Sequence, residues 1–327
     1  MCTAISYLSN HHYFGRTLDL EYTYDEHIVI TPRHFPFRYL DFPTDETHYA
    51  IIGIATIMDG YPLYYDACNE HGLGIAGLNF VGNAVYRPWE EGMYNLAQFE
   101  LIPWLLGRCR TLAEARTELG RINLLDVAFH RDLPVARLHW MLSDRSGSIV
   151  VEPTAGGLCI YENPMGVLTN NPPFPHQLEA LSIYQNLTAE DPPAPRFGCN
   201  LIQSPISRGT GALGLPGDWT SPSRFVRAVF AKLNATSKET VEDSVNQFFH
   251  VLGAVEQIEG CLRLGEALER TQYVSCYDTE GITCYCKTYE NHQISAVSLS
   301  KESIDASDLQ IYPLAKKEQF HFPKVLS

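Results

Sequence analysis

Residues 1–20 read MCTAISYLSNHHYFGRTLDL. CTAISYL (2–8) and YFGRTLDL (13–20) are short runs rich in apolar, aromatic and β-branched residues, and the polar stretch Ser9–His12 between them is turn material. The pair reads as two adjacent strands, and the same texture recurs outward from it. HIVITP (27–32) is β-branched and stops at a proline, and YAIIGIATIM (49–58) is apolar almost throughout, as a strand buried on both faces would be. YPLYYDACNEHGLGIAGLNF (61–80) reads as strand, Asn-Glu-His-Gly turn, strand; Gly72, Gly74 and Gly77 crowd its second half and imply close backbone approach. LHWMLSD (138–144) and SIVVEP (148–153) flank a Ser-Gly turn, and GLCIYE (157–162) and MGVLTN (165–170) continue the sheet. Strands return in TQYVSCYD (271–278), GITCYCKTYE (281–290) and HQISAVSLS (292–300).

Between the strand-rich ends, apolar residues three and four apart predict helices over 96–108, 112–119, 176–187 and 239–257, with Pro103 kinking or interrupting the first. Ser221-Pro222 predicts an N-cap followed by proline at the first helical position, opening a helix with Phe225, Val226, Val229, Phe230 and Leu233 on its apolar side. Residues 189–220 form a long irregular stretch rich in proline and glycine, of the kind that carries function. Strands, then helices, then strands predict one α+β domain over 1–327, its sheets stacked face to face and its helices outside.

Composition narrows the function. The 24 basic and 38 acidic residues give a formal charge of −14 over 327 residues, which argues against a nucleic-acid or anionic-membrane partner. Apolar residues make up 45 %, with 18 Tyr and 15 Phe, enough for a sizeable core. No apolar run is long enough for a spanning helix, and no secretory leader is readable. The nine cysteines (2, 68, 109, 159, 199, 261, 276, 284 and 286) show no C-x-x-C pair and no H-E-x-x-H accompanies them, so most read as free, buried, cytosolic thiols. The sequons at Asn186 and Asn234 carry no meaning without export.

Cys2 is the informative position. Methionine before a small residue is commonly trimmed, and trimming Met1 would leave Cys2 with its thiol and a free α-amine on one residue. A thiol titrates near 8.5 and an α-amine at about 7.7–8.0, so the amine can take the thiol proton near neutral pH and later return one to a leaving amine. A hairpin through Ser9–His12 would bring Arg16 and Asp19 back beside Cys2, where a guanidinium favours thiolate and a carboxylate can hold the amine. In an ideal strand, positions 16 and 19 point to opposite faces, so both serve Cys2 only if the strand bends, bulges or ends between them.

Together, MCTAISY, YFGRTLDLEY, GLGIAGLNF, LHWMLSD, GVLTNNPPF, GLPGDWTSPSRFVR and KTYENHQISAV resemble the choloylglycine hydrolase family, which holds bile salt hydrolases and penicillin V acylases among the N-terminal nucleophile hydrolases. The resemblance runs from Cys2 to about residue 300. It implies a four-layer αββα fold, with two stacked, mostly antiparallel sheets between helical layers. It implies that Cys2 is the nucleophile, Arg16 and Asp19 the polar residues around its sulfur and amine, and Arg224 a second arginine near them. Asn79, through its backbone N–H, and Asn170, through its side-chain amide, would form the oxyanion hole. Arg224 in a first helical turn runs against the helix dipole, which is an independent reason to suspect a role.

The resemblance places Leu18, Met58, Tyr65, Phe129, Leu133 and Leu138 around a broad apolar acyl pocket, and Arg208 where the family tunes preference between glycine and taurine conjugates. Asn79, where the acylase branch carries a bulkier residue such as Tyr, favours conjugated bile acids as substrate. Penicillin V or homoserine-lactone acylation, and non-catalytic carriage of amphipathic ligands, are the competing readings. The family pattern calls for no metal or organic cofactor and implies a homotetramer, and a bacterial cytoplasm fits the missing signal and the free thiols.

Overall fold

The computed structural model describes residues 1–191, 207–300 and 304–325. Two antiparallel sheets dominate. The first joins β1 (Cys2–Leu8), β2 (His12–Leu20), β12 (Val167–Leu168), β13 (Leu262–Leu264), β14 (Ala267–Asp278), β15 (Thr283–Thr288) and β16 (Asn291–Ser298), in the order β12-β1-β2-β14-β15-β16 with β13 added beside β14. The second joins β3 (His27–Thr31), β4 (Ile51–Met58), β5 (Tyr61–Asn69), β6 (Gly74–Asn79), β9 (Leu138–Asp144), β10 (Gly147–Thr154), β11 (Gly157–Glu162) and β17 (Gln310–Pro313), in the order β11-β10-β9-β6-β5-β4-β3-β17. A small parallel pair, β7 (Tyr94–Ala97) and β8 (Ile122–Leu125), stands apart.

The hairpins follow from local chemistry. Met58 pairs with Tyr61 across Asp59-Gly60, both at positive φ, the two-residue turn whose twist matches that of the strands. Where β2 passes β14, only glycine fits at Gly15, because a Cβ there would lie 2.1 Å from the Ser275 carbonyl oxygen.

The sheets stack through one core. Ala4 and Phe14 of the first sheet share it with Ile52, Ile54, Ala76, Leu78, Met141 and Val150 of the second. Outside the first sheet lie α4 (Ser221–Asn234) and α5 (Val241–Gly253), which bury Phe225, Ala228, Phe248 and Leu252 against β1, β2 and β14. Outside the second lie α1 (Leu101–Arg108) and α2 (Leu112–Leu119), which build a second core with Val29, Ala55, Ile75, Trp140 and Leu142. The layers run helix, sheet, sheet, helix. The short α3 (Phe174–Ala180) leads into a 3₁₀ turn, Leu181–Tyr184.

Several elements differ from the sequence reading. The helix expected over 96–108 begins only at Leu101; Tyr94–Ala97 is strand, and an apolar run that continues unbroken into a helix hides that change of period. Pro103 is the third helical residue, where an amide hydrogen has no partner within the helix, so it starts α1 instead of kinking it. The segment 176–187 is α-helical only to Ala180. The cap of α4 is Thr220, one residue before Ser221, and the Ser221 hydroxyl is engaged elsewhere. The centre of the 189–220 stretch, and Cys199 within it, lie outside the described residues; the other eight cysteines are unpaired.

Candidate active site

Cys2 opens β1 directly opposite Leu18 of β2, and Ala4 lies opposite Arg16. Directly paired residues share a face, so Cys2, Arg16 and Leu18 all look toward the second sheet. Arg16 is fully buried there. Its Nη1 donates to the carbonyl oxygens of Gly77 and Tyr65, the latter at 3.3 Å, and its Nε donates to Thr17 O at 3.1 Å. Tyr65 is free to accept because it is the extra residue of a bulge, where Ile54 pairs with Asp66 and Ala55 with Tyr64. The counterion of Arg16 is the fully buried Asp66, 3.9 Å from Nε, which accepts from the hydroxyls of Tyr273, Ser275 and Tyr277. Burial opposes the guanidinium charge, but the neighbouring Cys2, Tyr273, Asp66 and Asp19 outweigh it and raise its pKa. Burial raises the pKa of Asp66, opposed by Arg16 and the hydroxyls.

Asp19 lies on the opposite face of β2, as the period of two requires, with Thr17 and Thr3. Its carboxylate accepts from Thr17 Oγ1 at 3.1 Å and Thr271 Oγ1 at 2.7 Å. The ladder of β1 with β2 runs unbroken, and the irregularity falls on β14, between Thr271 (opposite Asp19) and Tyr273 (opposite Leu18). That bulge sends Thr271 to the Asp19 side and Tyr273 to the Asp66 side. Each neighbour of Cys2 therefore keeps its own face, and the start of the chain lies between them.

Arg224 reaches the Asp19 face from the first turn of α4. It is fully buried and donates to Cys2 O at 2.6 Å, Thr3 Oγ1 at 2.7 Å and Asn170 Oδ1 at 2.8 Å, with Asp19 Oδ2 at 3.9 Å. Burial lowers its pKa, countered by Asp19, Cys2 and Glu269. The adverse helix-dipole position is offset by these four groups.

Asn170 joins the two halves. Its Oδ1 accepts from the Cys2 backbone N–H at 2.8 Å and from Arg224, and its Nδ2 donates to the Asn79 carbonyl at 2.8 Å. One amide hydrogen of Nδ2 remains beyond that bond. Its own backbone is tied down: its N–H donates to Ser221 Oγ at 2.8 Å, and its carbonyl accepts from Gln177 Nε2 at 2.5 Å. Met1 fills the space beyond Cys2, where its ammonium donates to Asp19 O and to Glu269 and its carbonyl accepts from Asp19 N–H at 2.9 Å.

The structure thus brings together Cys2, Arg16, Asp19, Asn79, Asn170 and Arg224. The apolar set is divided. Leu18 and Tyr65 pack with the core between the sheets, whereas Phe129 and Leu138 pack with the second core, Phe129 lying 5.1 Å from the Phe99 ring. Leu138 reaches the site through the backbone, as the ladder partner of Asn79. Met58 is half-buried at the end of β4, Leu133 lies half-buried in a turn closed by its N–H on His130 O, and Arg208 is exposed beside Gly209. Asp66, Thr271 and Gln177 were not singled out in the sequence, and Ser221 was singled out only as a helix cap. The available signal was a polar residue embedded in an apolar run, as Asp66 is in YYDAC.

Among the described residues, no group of three His, Cys, Asp or Glu side chains is arranged to hold a metal ion. A cleft of about 600 Å³ opens on the other helical layer between Phe42, Trp104, Arg108 and Glu118, and contains none of the residues above.

Comparison with known proteins agrees with this geometry. A bile salt hydrolase/transferase of Lactiplantibacillus plantarum is 46 % identical over 322 residues, covering 98 % of this chain and 99 % of that protein. The mutant C2A of conjugated bile acid hydrolase from Clostridium perfringens superposes with a TM-score of 0.92 at 34 % identity, over 99 % of this chain and 100 % of that one. Penicillin V acylase from Agrobacterium tumefaciens shares the fold, with a TM-score of 0.75 at 20 % identity over 95 % and 90 % of the two chains. The family model for linear amide C–N hydrolases of the choloylglycine hydrolase type matches residues 2–312, and the chain belongs to that family.

Proposed function

We propose that this chain hydrolyses the amide bond of bile acids conjugated to glycine or taurine, through a thioester on Cys2. The observation that carries the reading is the convergence of two buried arginines and Asn170 on the first residues of β1, in a chain 46 % identical to a bile salt hydrolase/transferase. Removal of Met1 leaves the Cys2 amine beside Asn170 and Asp19. The amine takes the thiol proton, the sulfur attacks the amide carbonyl, and the oxyanion is held by the Asn79 N–H and the remaining Asn170 amide hydrogen. Collapse expels glycine or taurine with a proton from the α-amine, and water then cleaves the thioester. Loss of one oxyanion donor costs about 10²–10³ in rate. The word transferase in the relative's name favours a second outcome at the same intermediate: an amine in place of water takes the acyl group and returns the thiol.

Leu18, Tyr65, Met58, Phe129, Leu133 and Leu138 form the apolar walls for the steroid, and Arg208 meets the carboxylate or sulfonate of the leaving group. The chain works as one domain over 1–327, less Met1, and assembles as a homotetramer. Eight unpaired cysteines among the described residues support a reducing bacterial cytoplasm.

The deciding experiment measures glycine and taurine release by ninhydrin from a panel of conjugated bile salts, beside penicillin V, with intact mass to read Met1. The reading requires release from the bile salts, faster turnover of them than of penicillin V, and Cys2→Ala that binds a bile salt without releasing amino acid. Full turnover by Cys2→Ala, or binding by the parent chain without release, refutes it.

A further inference from the structure

A buried polar pair lies behind the site and has no part in the chemistry above. His139 of β9 and Glu152 of β10 are both fully buried, on the sheet face that also carries Met141 and Val150. His139 Nδ1 meets Glu152 Oε1 at 3.1 Å. Nε2 lies 2.8 Å from the Thr169 carbonyl, and since a carbonyl only accepts, Nε2 carries a hydrogen. The imidazole lies flat on Phe80, with ring centroids 4.4 Å apart and planes 6° apart. Glu152 Oε1 also accepts from the Phe174 N–H at 3.0 Å.

The two segments it touches are the two arms of the oxyanion site. Phe80 follows Asn79, and Thr169 precedes Asn170. Glu152 reaches the far side of the second arm, closing the turn 170–174. A polar pair buried in an apolar layer is costly unless its bonds are made. The pair satisfies the Thr169 carbonyl and the Phe174 N–H, which flank the segment that presents Asn170, so its particular partners point to a spatial task. We propose that His139, oriented by Glu152, is a positioning residue that fixes the spacing between the Asn79 backbone and the Asn170 side chain, and so sets the geometry of the oxyanion hole. The ring holds one arm by stacking and the other by hydrogen bonding, so a shift of either changes the gap an oxyanion must fit. This rests on the oxyanion reading given above.

The test uses the full chain with His139→Phe, His139→Gln, Asn170→Ala and the double variant His139→Phe/Asn170→Ala. Phenylalanine keeps the ring and its stacking but loses both hydrogen bonds; the Gln amide reaches about as far as Nε2 and restores the donor to Thr169 O. The readouts are kcat and KM on glycocholate, and the rate of Cys2 alkylation by iodoacetamide, followed by mass on the N-terminal peptide. Alkylation displaces iodide and forms no oxyanion, so it reports the thiol without the hole. A displacement of order 1 Å costs up to about 100-fold in rate, so kcat for His139→Phe falls by about 10- to 100-fold with KM little changed. Cys2 alkylates at the parent rate, His139→Gln recovers most of the lost kcat, and the double variant is no slower than Asn170→Ala. Parent-like kcat in His139→Phe, a multiplied loss in the double variant, or alkylation that falls in step with kcat overturns the proposal. If Asn170→Ala itself keeps full kcat, the oxyanion reading fails first. His139→Gln keeps the test open if His139→Phe does not fold.

Discussion

The Asp19–Arg224 pair offers the sharpest energetic test, because both side chains are fully buried and belong to elements far apart in sequence. Arg224→Met removes the guanidinium from Asp19 and leaves the acceptors Cys2 O, Thr3 Oγ1 and Asn170 Oδ1 short of a donor. Breaking such a pair from one side costs about 3–5 kcal/mol, because a buried charge is left uncompensated. At the Nη1–Oδ2 distance of 3.9 Å, Coulomb attraction with an effective dielectric constant of ~20 is about 4 kcal/mol. Asp19→Asn alone strands the guanidinium in the same way. The double variant Asp19→Asn/Arg224→Met has no buried charge left to strand. It is expected to lose less than the two singles together, by roughly the Coulomb figure. Urea unfolding followed by circular dichroism measures all four corners of the cycle without needing activity. Losses that add to within about 0.5 kcal/mol would refute the reasoning, since independent sites behave that way. Arg224→Lys separates charge from shape: an ammonium restores the counterion but not the planar fork that meets three acceptors at once. It should recover stability and leave kcat low.

Three further outcomes follow from the structure. Burial pushes His12 down to about 4, below its usual 6.5, so the unfolded chain binds the proton first as pH falls; His12 contributes its full stability above about 6.5 and loses up to about 3 kcal/mol by pH 4. His12→Asn should flatten that part of the stability–pH curve, and parallel curves for the two proteins would contradict it. Gly15→Ala drives a Cβ to 2.1 Å from the Ser275 carbonyl, which forces β2 and β14 apart and costs about 3 kcal/mol; a melting temperature equal to the parent's would refute the close approach. Arg208→Ala, at an exposed position, should change the glycine-to-taurine ratio of kcat/KM while leaving the melting temperature in place, and an unchanged ratio removes Arg208 from the leaving-group site.

The strands were legible wherever one face is apolar or the whole strand is buried, as in β4 and β14. The four residues of β7 were not, because Tyr94–Ala97 runs into α1 without a break in hydrophobicity, and only its pairing with β8 makes it a strand. The edge strand β17 was missed for the opposite reason: Gln310–Pro313 is half-exposed or exposed and carries no apolar alternation strong enough to see. At the site, the residues set in recognisable motifs could be named from the sequence, but their partners could not. Asp66 lies 207 residues from Tyr273, and His139 lies 30 from Thr169. No local pattern announces such a contact. What the sequence does carry is the anomaly: YYDAC, LHWML and IVVEP each place one carboxylate or imidazole in an apolar strand, and all three meet partners at or behind the cluster around Cys2.

The difficulty posed by Arg16 and Asp19 has a physical resolution that bears on the role proposed for Cys2. A residue inside a strand sends its side chain to one face and commits both backbone groups to the ladder. Cys2 sends its sulfur toward Arg16 between the sheets, while its nitrogen and carbonyl are addressed from the other side by Asn170 Oδ1 and Arg224. In the chain with Met1 attached, that nitrogen is an amide that can only donate, and the ammonium one residue earlier is bound by Asp19 O and Glu269. Cleavage of Met1, as proposed, would move the ammonium one residue along, toward Asn170 and Asp19, and its free amine could then act as a base. The acidic and amide groups are already in place, so under the proposed mechanism loss of Met1 would require no rearrangement of either sheet. An unbent β2 suits this arrangement, because the two faces must stay distinct for the thiol and the amine to keep separate surroundings.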